Sequence, residues 1–221
     1  MILVDQERFR RLARERPDVI RRLLAFNFLP ADYLHPSRRY VFTDVDISSE
    51  VWRQSRARKT LSSLILQQLK LEAKPCLDSG HWEWTVALLD MESMERLARH
   101  LGATILGPTI RRSVSRTEVM HWNDTITPAV YKFVMASASL LKTPQIDLAP
   151  LEEETPESIG YSWILRCLAS GPEELVERAQ LKLPFDTAAA ETSTHIAREF
   201  VLSVLSALEP KWCSTFAKLR N

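Results

Sequence analysis

The sequence predicts an all-α fold: a compact single-domain bundle over residues 1–221, with about nine or ten helices. Apolar residues recur at helical spacing in nearly every segment, as expected of helices that each bury one face. Only five glycines occur in 221 residues, which disfavours the turn-rich chain of an all-β fold. Twelve prolines stand mostly where these helices would begin or end.

The composition predicts a soluble cytoplasmic protein. Hydrophobic residues make up 45% and charged residues 26%, and the net charge of +1 gives no overall field to gather nucleic acid or anionic lipid. Cys76, Cys167 and Cys213 are too scattered for a disulfide framework or a metal site, and an odd number fits a reducing compartment. We recognise no signal peptide, and no apolar run approaches the roughly 18 residues of a membrane span.

The N-terminal segment, residues 1–24, is predicted to be helical and basic. Asp5 is placed to cap a first helix, and Pro17 to begin a second. Seven arginines lie between Arg8 and Arg22. They form either a solvated helix face or a basic patch for an acidic partner, and the solvated face is the favoured interpretation.

Residues 40–47 and 82–88 alternate apolar and polar residues over a few positions. The sequence therefore leaves open one short β ribbon, which would be marginal without further packing. Between the two segments, a helix is predicted from Ser48 or Ser49 to about Ala73.

The first half of this helix is basic and carries three candidate partner-binding residues, Arg53, Arg56 and Arg58. Trp52 lies beside them, a pairing that single-stranded nucleic-acid binders use for base stacking. The same pattern fits a half-exposed helix with a docking surface for a protein. We favour the docking surface, because one tryptophan and one basic run carry little information about nucleic acid.

Residues 90–116 predict two packed helices joined by a buried corner. Gly102 is expected to end the first helix in the left-handed conformation, and Pro108 to begin the second. The apolar face of the first helix consists of Met91, Met94, Leu97, Ala98 and Leu101.

Two further candidate partner-binding residues, Arg111 and Arg112, follow this corner. Ile110 and Val114 are four residues apart and are expected to point inward together, which leaves the arginines off the buried stripe. A guanidinium there would pair with an internal carboxylate or with an acidic partner surface, since its planar fork suits both. The internal salt bridge is the favoured interpretation, and docking on a partner is the alternative.

Downstream, the sequence predicts a series of capped helices. Ser115 and Glu118 form a capping box. The helix over residues 128–141 is apolar nearly all round and is predicted to be the central helix of the core. Residues 142–156, rich in proline and glutamate, are predicted to be a loop. Further helices are expected to begin at Thr155-Pro156, at Gly171-Pro172, at Asp186 or Thr187, and after Pro210.

No catalytic, cofactor-binding or metal-binding residue is predicted. The histidines considered, His35, His81, His121 and His195, have no visible neighbours for acid–base or nucleophilic chemistry. His195 and Glu199 are four residues apart, but a metal site needs more ligands than this pair supplies. We therefore expect no cofactor and no enzymatic activity.

Three short segments, which we call the landmarks, carry a resemblance to a known family. They are FNFLPADYLHPSR at 26–38, LARHLGATILGPTIRRSV at 97–114 and AQLKLPF at 179–185. In their order and spacing they resemble the SctK (YscK-like) family, cytoplasmic sorting-platform proteins of type III secretion systems. Residues 1–24 look like an added basic segment that departs from the family.

The resemblance implies a non-enzymatic adaptor at the cytoplasmic face of the inner-membrane injectisome base. Its partners would be the cytoplasmic domain of the ring protein SctD and the pod protein SctQ, with the export ATPase and its stator contacted indirectly. Neither nucleic acid nor direct membrane insertion is expected. The alternative is a small α-helical nucleic-acid-binding protein or enzyme, which rests only on scattered histidines and local basic runs.

Overall fold

The computed structural model describes residues 10–42, 49–78, 80–137, 141, 144 and 154–220. The prediction of an all-α fold is confirmed, because the elements in these ranges are helices and turns. Two 3-10 helices lie at Pro30–Asp32 and Pro36–Val41. The α-helices are α1 (10–15), α2 (Pro17–Phe28), α3 (Ser49–Arg53), α4 (Ser55–Gln68), α5 (Trp84–Ala87), α6 (Met91–Ile105), α7 (Gly107–Arg112), α8 (Arg116–Ile126), α9 (Pro128–Ser137), α10 (Pro156–Leu168), α11 (Glu173–Gln180), α12 (Thr194–Leu208) and α13 (Pro210–Arg220).

The β ribbon is wrong where the structure describes its segments. Residues 82–88 contain the helical turn α5, and residues 40–42 end a 3-10 helix; residues 43–48 lie outside the described ranges. Every residue from Glu83 to Leu89 is buried. The alternation of residue types therefore does not separate a solvent-exposed face from a buried face. A compact helical turn instead satisfies the backbone hydrogen bonds locally.

The chain groups into two compact units. Unit 1 comprises Met1–Met91, Gly171–Asp186 and Ser214–Asn221, and unit 2 comprises Glu92–Ser170 and Thr187–Cys213. Each unit has its own buried apolar side chains, described below. A single domain over residues 1–221 stays a prediction.

An aromatic cluster lies at the centre of unit 1. Phe26, on the buried face of α2, stacks on Tyr33 with ring centroids 5.5 Å apart and meets the edge of Trp84 at 5.3 Å. The Tyr33 hydroxyl donates a hydrogen bond to the Phe26 carbonyl at 2.6 Å, so its polar atom is satisfied inside the cluster. Aromatic packing of this kind fixes the turn after α2 against α5.

A close crossing of α6 and α10 lies at the centre of unit 2. A Cβ added to Gly102 would lie 1.8 Å from the Pro156 carbonyl oxygen, and one added to Gly160 would lie 1.8 Å from that of Ala98. The two backbones touch where each helix has a glycine, because no other residue leaves room. α10 also packs on α12, where Trp163 meets Phe200 edge-on with ring centroids 5.2 Å apart.

This crossing corrects two predictions. Gly102 does not end α6, which continues to Ile105, and none of the described glycines has a positive φ angle. The described part of the helix predicted over 128–141 is not central, because α9 (Pro128–Ser137) buries only Val130, Val134 and Ser137, and residues 138–140 lie outside the described ranges. The buried residues of α6 and α10 take the central position instead.

Local capping signals give mixed results for helix boundaries. The capping box at Ser115 and Glu118 forms, and Thr155 caps α10 through the Ser158 amide. The long helix predicted from Ser48 or Ser49 is interrupted at Gln54, which separates α3 from α4. The helix expected from Asp186 or Thr187 begins at Thr194, where the Ser193 hydroxyl accepts from an amide of the first turn.

Candidate partner-binding surfaces

The five candidate arginines fall in two sets, one in each unit. Arg111 and Arg112 end α7 in unit 2, whereas Arg53, Arg56 and Arg58 lie at the junction of α3 and α4 in unit 1. The side chain of Arg53 is outside what the structure describes. Each set is a surface of its own unit.

The corner between α7 and α8 presents arginines and apolar groups together. Arg111 and Arg112 are exposed, as is Arg116 in the first turn of α8. The guanidinium of Arg111 folds back over Gly107, since a Cβ added there would lie 2.8 Å from Nη1 of Arg111. We call Arg111, Arg112, Val114, Arg116 and Met120 the corner surface.

The prediction that Val114 points inward beside Ile110 is wrong. Ile110 is fully buried, but Val114 is 91% exposed. The helix ends at Arg112 and Ser113 takes an extended conformation, so a four-residue spacing no longer places two side chains on one face. Met120, on α8, is 53% exposed.

The favoured internal salt bridge is not formed within the described residues. No carboxylate in those ranges pairs with Arg111, Arg112 or Arg116. The nearest acidic side chain in sequence, Glu118, accepts hydrogen bonds from the Ser115 hydroxyl at 2.7 Å and the Ser115 amide at 3.1 Å. These bonds lower the pKa of Glu118 and direct its carboxylate to the helix cap.

The α3–α4 set is more constrained. Arg56 is exposed, but Nη1 of Arg58 lies 3.4 Å from Oδ1 of Asp32. Trp52 is only 5% exposed, and the guanidinium of Arg39 covers its ring at 5.4 Å from the centroid. The indole is therefore not available to stack on a base, which removes the stacking argument for nucleic-acid binding.

The histidines take structural or exposed positions. His35 caps the 3-10 helix Pro36–Val41, its Nδ1 accepting from the Ser37 amide at 3.2 Å. His81 lies 3.2 Å from Asp78, and His121 and His195 are exposed. Within the described ranges, no three His, Cys, Asp or Glu side chains are grouped as metal ligands would be.

The first and third landmarks pack against each other in unit 1. The His35 amide donates to the Leu181 carbonyl at 2.7 Å, and Arg38 donates to the Leu183 carbonyl at 2.7 Å. The same guanidinium donates to the Pro184 carbonyl at 2.9 Å. Hydrogen bonds accepted by backbone carbonyls of the third landmark thus hold the two segments, which are far apart in sequence, together.

Lys182 is the buried charge of the third landmark. Its ammonium donates to the carbonyls of Ala87 and Leu89, both at 2.6 Å, and lies 5.3 Å from the Phe26 ring and 5.1 Å from the Tyr33 ring. Burial lowers the pKa of Lys182 to about 7. Lys182 is not among the residues predicted from the sequence, although a lysine between two leucines in an otherwise apolar segment is a signal for it.

Comparison with known protein families agrees with the landmarks. The family described as YOP proteins translocation protein K (YscK) matches residues 23–214. The chain belongs to the YscK family. Comparison with curated proteins and with solved structures found no match.

Membership of the YscK family makes this a type III secretion protein. The match includes all three landmarks and the corner surface, while residues 1–22 lie before it. None of the helices described for this YscK-family chain is long and apolar enough to cross a membrane. The candidate arginines stay predictions as binding residues, and the structure adds Val114, Arg116 and Met120 to their surroundings.

Proposed function

We propose that this YscK-family protein is a non-enzymatic adaptor of a type III secretion sorting platform. It acts at the cytoplasmic face of the inner-membrane injectisome base, where it links the cytoplasmic domain of SctD to SctQ. Through SctQ it supports assembly of the export ATPase and its stator. The observation that carries the proposal is the family match over residues 23–214.

Two features of the structure support an adaptor. The arginines and apolar side chains of the corner surface have the composition of protein-binding surfaces, in which arginine is enriched. The buried polar groups of unit 1, such as Lys182 and Tyr33, are used to hold segments of the chain together. Their chemistry is therefore structural.

Removal of the gene from its host tests this proposal. We expect secretion to stop and fluorescently tagged SctQ to leave the membrane, while SctD rings remain visible. Complementation with the wild-type gene should restore both. SctQ that still forms membrane foci without this protein would contradict the linking role, even if secretion were reduced.

A further inference from the structure

The corner surface combines positive charge with exposed apolar groups. Three arginines, Arg111, Arg112 and Arg116, lie within six residues of sequence, and Val114 between them is 91% exposed. Valine at such exposure gives no stability to the isolated chain, because it leaves its apolar surface in water. An exposed valine flanked in sequence by exposed arginines instead favours a contact with another molecule.

Hydrogen bonds brace the connection that carries these side chains. The indole of Trp122 donates to the Ser113 hydroxyl at 3.0 Å, and that hydroxyl lies 3.2 Å from the Thr109 carbonyl. Ile110 anchors α7 by its fully buried side chain, and the capping box fixes the first turn of α8. A surface fixed before binding loses less conformational entropy when a partner arrives.

Charge complementarity indicates the occupant. Arginine forks pair best with carboxylates, and no described carboxylate engages the three corner guanidiniums. We propose that the corner surface binds an acidic protein segment that also presents an apolar side chain to Val114. This inference rests on the proposed function and names the chemistry by which one of its partners is recognised.

A photo-reactive amino acid in place of Val114 tests the inference in cells that carry the secretion locus. The cross-linked peptide is identified by mass spectrometry. We expect it to lie in an acidic segment of another protein, and we expect the cross-link to disappear in an Arg111→Glu/Arg112→Glu background. The same amino acid at exposed Ala136 is the control and should not cross-link to that segment.

Titration with purified partners gives the second measurement. Arg111→Glu/Arg112→Glu should weaken binding of one of SctD or SctQ by at least about tenfold and leave the melting temperature unchanged, because both residues are exposed. Wild-type affinity should fall with added salt. The matched control is Arg21→Glu/Lys74→Glu, the same charge change at exposed positions of unit 1, which should bind normally.

Three outcomes would overturn the inference: no cross-link from position 114, a cross-link that survives charge reversal, or a cross-link into the chain's own acidic run, Glu152–Glu154. Failure of the proposed function gives a different result. In that case the wild-type protein binds neither SctD nor SctQ, while the cross-link from position 114 still identifies an acidic segment of some other protein.

Discussion

At the scale of single residues, two glycines allow the crossing at the core of unit 2. A methyl group at Gly102 or Gly160 would lie 1.8 Å from a backbone carbonyl oxygen of the facing helix. A backbone atom cannot rotate away as a side chain does. The helices must therefore separate, and the packed side chains around them must shift.

We predict that Gly102→Ala and Gly160→Ala each lower the free energy of unfolding by about 3 kcal/mol or more. Chemical denaturation followed by circular dichroism measures this loss. Gly171→Ala is the control, since Gly171 is half-buried and has no positive φ angle. Equal stability of all three variants would show that the helices do not touch at these glycines.

Lys182 makes stability depend on pH in a defined direction. Burial lowers its pKa to about 7 in the folded protein, against about 10.4 in an unfolded chain. Between these values the unfolded chain binds more protons than the folded one, so the free energy of unfolding rises with pH. Below about pH 7 the ammonium is charged in both states, and the full cost of burying it remains.

We predict that the melting temperature of the wild type, relative to Lys182→Met, increases from about pH 7 to pH 10. Taking the difference between the two proteins removes titrations that they share. Lys74→Met, at an exposed lysine, is the matched control substitution. A difference in melting temperature between wild type and Lys182→Met that stays constant with pH would contradict the shifted pKa of Lys182.

At the scale of elements, α12 contributes more to the core of unit 2 than the described part of α9. Phe200 on α12 is 3% exposed and meets Trp163 edge-on. Phe133 on α9 is half-buried, and its main aromatic contact is His100, at 4.9 Å between ring centroids. Truncation of Phe200 to alanine therefore leaves a buried cavity, whereas water reaches the space left by truncation of Phe133.

Truncation of the two rings separates these roles. We predict a cost of about 3–5 kcal/mol for Phe200→Ala. For Phe133→Ala we predict about 1–2 kcal/mol. Urea midpoints of the two variants, measured at one protein concentration, give the comparison. A Phe133→Ala loss as large as that of Phe200→Ala would restore α9 to the centre of the core.

Structural features that depend on neighbouring residues are predictable from the sequence. The capping box at Ser115 and the helix start at Pro156 follow from local hydrogen bonds and proline geometry. Gly102 is wrongly predicted to end a helix, because its glycine is needed for the close approach of the Pro156 backbone, and Pro156 is distant in sequence. The inward-pointing Val114 was wrong because its helix stops two residues earlier than the apolar pattern suggests.

The candidate site was predictable only in part, for the same reason. The sequence supplied Arg111 and Arg112, but exposure of Val114 and Met120 depends on how α7 and α8 pack. It also placed Trp52 beside arginines without showing that the ring is covered by Arg39. Whether a side chain is buried depends on contacts from other parts of the chain, which a local pattern does not contain.

At the scale of the whole molecule, charge is balanced overall and uneven locally. The net charge is +1, yet the corner surface carries three arginines without a described carboxylate partner. Balanced charge gives no general attraction to nucleic acid, so we predict that the purified protein elutes with the absorbance ratio of pure protein. A high ratio of absorbance at 260 to 280 nm that salt abolishes would favour the nucleic-acid-binding alternative.

We propose that one molecule of this protein binds SctD and SctQ at the same time. Mixing the purified protein with the SctD cytoplasmic domain and SctQ, followed by size-exclusion chromatography with light scattering, measures this directly. We predict a ternary complex whose mass exceeds that of either binary complex and that does not form when this protein is omitted. Binding of SctD and SctQ that is mutually exclusive, or binding of neither, would contradict the adaptor role.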